Sequence, residues 1–213
     1  MYGKLKSAGL KYLWVFAFFL QINVYPQSAV KSFFKLSTPE KCWVIFHPFK
    51  AKKALKITKE ALAVTDSLIK TNTLGSDLNG GRADAFKHSY WLARLTQEIG
   101  IKAAIKLGKA HEKGNYQFFK KGKKEDGFLP DKPSSDMDLF NNDVGAAIAE
   151  QNPDVSKGVM TELIISAVKT GKMKILKKDS KGHFLTCSGE IISKESLFGK
   201  WENDKCLVSS ELR

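Results

Sequence analysis

Apolar and polar positions repeat along most of this chain with the period of a helix and change character only near its end. From Pro48 onward, Ala54, Leu55, Ile57, Ala61, Leu62, Val64 and Leu68 form one stripe, which predicts an amphipathic helix ending near Lys70. Ahead of it, Thr38-Pro39-Glu40 has the form of a helix start, with Thr38 as N-cap and proline in the first turn, and AVKSFFKL (29–36) suits a short helix. The turn-rich stretch TNTLGSDLNGG (71–81) predicts a loop. A helix follows over DAFKHSYWLARLTQEI (84–99), Gly100 breaks it, and IKAAIKLGKAHE (101–112) predicts the next. Residues 114–134, with Pro130 and Pro133, read as irregular; a helix opens at Ser135-Asp136-Met137-Asp138 and runs through Ala149. Asn152-Pro153-Asp154 introduces one more, ended by Gly171. The period then shortens. β-branched runs flank Ser180-Lys181-Gly182 as in a hairpin, and KCLVSSE (205–211) adds a strand. The expected fold class is mainly α: a helical bundle-like domain with a small C-terminal β-hairpin or short antiparallel sheet.

The first residues read differently. Lys4, Lys6 and Lys11 precede LWVFAFFL (Leu13–Leu20), an apolar run too short for the roughly 20 residues that span a bilayer. This is the pattern of a cleaved signal, with an uncleaved anchor as the other reading. The expected organisation is therefore a signal peptide over 1–28, a helical domain over 29–171 and a β tail over 172–213, with export to a periplasmic or extracellular space. Once the signal is cleaved, the protein is not expected to be an integral membrane protein. Export permits disulfides. Of three cysteines, Cys187 and Cys206 flank the strand-like tail and are the plausible pair, which leaves Cys42 buried and free; three unpaired small hydrophobes is the other reading. The formal charge of +13 is nearly all lysine, since Arg82, Arg94 and Arg213 are the only arginines. A lysine coat favours anionic partners, an envelope surface or a phosphate-containing substrate, and no nucleic-acid-binding motif accompanies it.

Candidate chemistry gathers around Gly100. In a folded-back helix pair, His88, twelve residues before that glycine, and His111, eleven after it, come to the same level. Asp84 and His88 lie one turn apart and share a face. Ala103, Ala104 and Gly108 permit close approach of the second helix. A carboxylate from the later helix, Asp138 or Asp136, would complete a mixed nitrogen and oxygen donor set for a divalent metal such as zinc. Asp84, His88, His111 and Asp138 are thus the expected ligands. Glu112 is placed as a general base or orienting group, and Asn141 or Asn142 as a group polarising substrate. The competing account is a structural network in which the same residues satisfy one another. No nucleophile elbow, P-loop, dinucleotide fingerprint or C-x-x-C pair is present, so water activation is the chemistry the residues support. His47 reads as a cap, His183 as part of the hairpin, and Phe86, Tyr90 and Trp91 as core.

The ordered blocks NGGRADAFKHSYW, GKAHE and MDLFNNDVG resemble an uncharacterised bacterial domain family with the pattern N-G-x-x-D-A-F-R-H-x-x-W, A-H-E and M-D-x-x-N-N-x-x-G, found mostly in exported and toxin-like proteins. The likeness spans Asn79 to Gly145. It implies a mostly helical domain whose polar signature is Asp84, His88, His111, Glu112, Asp138, Asn141 and Asn142, and it supplies no activity. Lys87 stands where the family pattern has arginine and is not expected to touch the ligand set. A looser likeness to helical phosphohydrolases, which bind metals through His and Asp on several helices, is one of fold alone. The expected function is a metal-dependent hydrolase of a phosphodiester, phospholipid or other envelope substrate; the alternative is a non-catalytic envelope or interaction protein.

Overall fold

A computed structural model describes residues 27–125 and 127–211. The signal-like run Leu13–Leu20 and its lysines lie outside the described residues. The chain divides into two units, 1–35 and 36–213. In the first, the described part is helix α1 (Gln27–Lys35), in which the Phe33 and Phe34 rings meet edge to face at 5.8 Å.

The second unit holds α2 (Thr38–Phe46), α3 (Pro48–Lys70), α4 (Arg82–Ile99), α5 (Ile101–Lys120), α6 (Lys132–Gln151), α7 (Lys157–Lys169), β1 (Lys174–Leu176), the short α8 (Lys194–Leu197) and β2 (Leu207–Ser209). The expected class, mainly α with a short antiparallel sheet, is what the structure has. Several helix ends differ from expectation for local reasons. Ser37, not Thr38, caps α2, because Ser37 adopts the extended conformation and closes a capping box with Glu40. Helix α5 continues eight residues beyond Glu112, where Gly114 and Asn115 pack inward despite their low helix propensity. Helix α6 starts at Lys132, since Asp131 accepts a hydrogen bond from the Ser134 N–H and Pro133 fits the first turn. Helix α7 waits for Ser156, which accepts from the Val159 N–H.

Helix α4 is the centre. It is buried nearly all round, polar Asp84, His88, Ser89, Arg94 and Thr96 included, and packs against α3, α5, α6 and α7. One core lies between α4 and α7, around Phe86, Tyr90, Met160, Ile164 and Val168; a second joins Trp43, Ile57, Leu92, Leu95 and Leu107. Helix α3 contributes Ala54, Ile57, Ala61 and Thr65; Leu62, expected on this stripe, is 48% exposed. The closest crossing is α4 on α6. A Cβ on Gly145 would stand 2.0 Å from the Ser89 carbonyl oxygen, so no side chain fits there.

The tail belongs to the same unit as the helices. β1 and β2 pair antiparallel, Ile175 opposite Val208. The isolated bridge Lys178–Phe184 brackets the turn expected as a hairpin, and a second, Leu185–Ile191, closes the turn after it. Cys187 and Cys206 form a disulfide, whereas Cys42 is exposed; the expectation that it would be buried fails because α2 turns Trp43, not Cys42, into the core. The Asn141 side chain clasps β1, accepting from the Lys174 N–H and donating to its carbonyl, both at 2.9 Å.

Gly145→Ala should cost about 1–3 kcal/mol or more, because the overlap is with main chain that cannot move aside. Gly158→Ala, with only open space and a distant Ser156 hydroxyl nearby, should be neutral or gain up to about 1 kcal/mol. Denaturant unfolding of both variants checks the pair; equal stabilities would refute the packing account.

Candidate metal centre

Helix α4 rises from a glycine-rich turn that its own first-turn acid organises. The Gly80 N–H donates to Asp84 Oδ2 at 2.8 Å, and Gly80 holds φ +87° with Leu176 packed where a side chain would be. This fixes Asp84 at the top of α4, with His88 one turn below it. The glycine crossing brings α6 alongside and with it Asp138. His88 Nε2 lies 3.4 Å from Asp138 Oδ1 and 3.6 Å from Asp84 Oδ1. Two ligands about 2.1 Å from one tetrahedral ion stand about 3.4 Å apart, so these spacings suit a shared cation. One donor atom from each of the three residues can be chosen so that all lie within 4.8 Å of one another, and all three residues are buried.

The three residues line a cavity of about 50 Å³, together with Lys87, Asn115 and Ser135, under the loop that carries Glu125 and Phe128. A water needs about 10–15 Å³ by such a measure, so an ion and a few waters fit. Within the protein, His88 Nδ1, Asp138 Oδ1, Asn115 Oδ1 and both side-chain polar atoms of Asn142 are buried without a hydrogen-bond partner among the described residues. Each such atom costs about 1–3 kcal/mol unless something completes it. A larger depression of about 320 Å³ on the tail, near Ile192 and Leu197, is lined by none of these residues.

Electrostatics divide the two histidines. Burial, with the Lys87 and His111 charges adding to it, holds His88 well below its usual range, so its ring is neutral and able to ligate. Burial also pushes Asp138 well above the ordinary carboxyl range, reinforced by the charges of Asp84 and Glu112. Glu112 is pushed up to about 7, mainly by burial and against the pull of the His111 cation. Its Oε2 accepts from Asn115 Nδ2 at 3.1 Å. His111 behaves oppositely. Burial works against its charge, but hydrogen bonds to Glu125 and Glu40 outweigh it and hold the imidazolium well above the usual range.

The structure therefore brings together three of the four residues expected as ligands. The His111 ring does stand beside His88, centroids 6.2 Å apart, as the folded-back geometry requires. However, its Nδ1 is 2.9 Å from Glu40 Oε1 and its Nε2 is 2.9 Å from Glu125 Oε1, so both nitrogens are engaged elsewhere. Glu112 is buried behind Asn115 and does not itself line the cavity, Asn142 is buried one turn beyond Asp138, and Asn141 serves the tail. Asp136 points to solvent and pairs with Lys132 at 2.6 Å. Lys87 corrects an expectation: its Nζ lies 3.0 Å from Asp84 Oδ1, in direct contact with the cluster. Sequence reasoning missed Glu40, Asn115, Glu125 and Ser135. Of these, only Glu40 left a trace, as the fourth residue of the capping box S-T-P-E. His47 stacks on Trp43 at 4.7 Å and His183 pairs with Asp179, so neither enters the site.

Residues 41–172 match the family described as a domain of unknown function, DUF6973, and the chain belongs to that family. The matched stretch contains the whole Asp84–His88–Asp138 cluster and stops before β1. No curated protein and no solved structure matches the chain.

The charged His111 node has a defined pH dependence. A group raised above its unfolded value of 6.5 contributes fully below that pH and loses its contribution as pH rises through the folded value. Glu40, held below 4.5 because its bonds to His111 and Ser37 outweigh burial, contributes above that pH and loses its contribution as pH falls. The stability difference between wild type and His111→Asn should be largest from about pH 4.5 to 6.5 and shrink on either side. Chemical denaturation at acid, mildly acid and alkaline pH reads this; a difference that grows into alkali would contradict the assignment.

Proposed function

We propose that Asp84, His88 and Asp138 hold a divalent cation such as zinc, and that the protein is an exported hydrolase of a phosphate-containing substrate. The carrying observation is the convergence of a neutral imidazole nitrogen and two carboxylate oxygens, at ligand-like spacings, on a cavity whose lining includes buried atoms without partners. A bound cation would lower the pKa of a coordinated water and polarise a phosphoryl oxygen. Glu112, near 7, is suited to accept a proton at neutral pH, and the Asn115 amide orients it. Lys87 adds a positive charge at the cavity for an anionic group, and the lysine-rich surface draws such groups in. Export is supported by the signal-like start of the sequence and by the Cys187–Cys206 disulfide.

A second reading is favoured by one contact. Lys87 and the Gly80 N–H both already bond Asp84, which a purely structural polar network would also require. Elemental analysis of the purified protein, followed by titration with zinc or manganese, separates the two. The metal reading expects stoichiometric uptake that strengthens as pH rises, since Asp138 must give up its proton. His88→Ala and Asp138→Asn should abolish uptake, Asp138→Asn while keeping the helical circular dichroism. Glu112→Gln should retain the metal and lose about 100-fold in hydrolysis of a generic phosphodiester. A folded wild-type protein that takes up no metal would leave the network reading standing.

A further inference from the structure

The corner between α2 and α3 gathers several exposed apolar side chains. Helix α2 ends with Ile45 and Phe46 exposed at 63% and 79%, and Phe49, one residue into α3's first turn, is 93% exposed. Large apolar side chains usually avoid this; three within five residues make a protruding apolar tip. The tip continues into a basic strip. On α3, Phe49, Lys52, Lys56 and Lys59 fall within about 80° of one another at 100° per residue, on the side away from the buried Ala54, Ile57 and Ala61. From Lys41 to Lys59 the sequence contains no acidic residue. Lys50 and Lys53 lean instead on the Ile99 and Glu98 carbonyls at the end of α4, which leaves Lys52, Lys56 and Lys59 as the outward charges.

Aromatic and branched apolar groups at a tip, with lysines along the adjoining helix face, match an anionic bilayer surface. The rings enter the boundary between headgroups and acyl chains, while lysine stems lie along it with their ammonium groups among lipid phosphates. A protein partner for so narrow a tip would offer a pocket for the rings, but would have no need of a lysine row extending over about two turns. We propose that this corner is a membrane-docking surface for anionic phospholipid. The inference rests on the surface alone and stands or falls independently of the metal centre. Docking by three side chains and a few lysines is reversible and sensitive to salt.

The test is co-sedimentation of the full chain with vesicles of phosphatidylglycerol and phosphatidylcholine in equal parts, against phosphatidylcholine alone. Wild type should bind the anionic vesicles at least about tenfold more tightly, and added salt should weaken that binding. The double variant Phe46→Ser, Phe49→Ser should lose about tenfold on anionic vesicles, and Lys52→Glu with Lys56→Glu should lose the preference between the two lipids. Phe198→Ser, at an equally exposed ring on the tail, should bind as wild type does. All variants carry the same N-terminal apolar run, so their differences report on the corner. Thermal melts confirm folding, which these exposed positions should leave intact. Equal binding by wild type and the Phe46, Phe49 variant overturns the proposal. So does a change in sedimentation velocity showing that the rings join two copies of the chain instead.

Discussion

Everything in the helical unit depends on one close approach, where Gly145 of α6 lies against the main chain of Ser89 in α4. The Ser89 hydroxyl turns back onto its own helix, donating to the Ala85 carbonyl at 2.7 Å, and so leaves the crossing clear. With nothing between the two backbones, residues on either side of the contact meet at short range. His88, next to Ser89, and Asp138, two turns before Gly145, come within 3.4 Å as a result. A bulkier crossing would push the carboxyl away from the imidazole, and the buried polar groups would lose one another along with the core.

The same packing places two histidines side by side and gives them opposite characters. His88 faces a carboxyl pair of which one member, Asp138, is pushed toward its protonated form, and the Lys87 ammonium stands nearby. Its ring is kept neutral. His111, one helix away, lies between two acids that both bond its nitrogens, and its ring is kept charged. The division has a local cause: Glu40 reaches His111 because Ser37 holds it in a capping box, while Glu125 arrives from the loop after α5. The positive ring then acts on its neighbours, lowering Glu112 against burial and opposing any charge on His88.

Much of this was legible in the sequence. Periodicity indicated the helices because each must bury a stripe, and the spacing of His88 and His111 about Gly100 placed the two rings at one level, as they are. Asp84 and His88 shared a face by helical geometry alone, and a carboxylate of a later helix, Asp138 or Asp136, was expected to join them, of which Asp138 does although that helix starts earlier, at Lys132. What spacing does not encode is the direction of a ring's nitrogens. His111 is at the expected height, but its partners come from residues 71 positions before it and 14 after it, and no local pattern announces either contact. Helix ends were displaced where a side chain, Ser37 or Asp131, supplied a cap that propensity alone does not locate. Lys87 looked like a family variation in the sequence, and only a packed structure brings its ammonium to Asp84.

The start of α6 carries a consequence for how the domain is assembled. Asp131, its N-cap, is buried, and its second oxygen is met by Lys205 at 2.5 Å and Asn203 at 3.0 Å, across 74 and 72 residues. The Lys205 side chain is itself largely covered, and the residue adjoins the disulfide-bonded Cys206. The cation that neutralises the cap of the Asp138-bearing helix therefore comes from a segment 74 residues later in the sequence. The helix that brings Asp138 to the cluster is thus tied at its first turn to residues 203–206 and, through Cys206, to the disulfide of the tail.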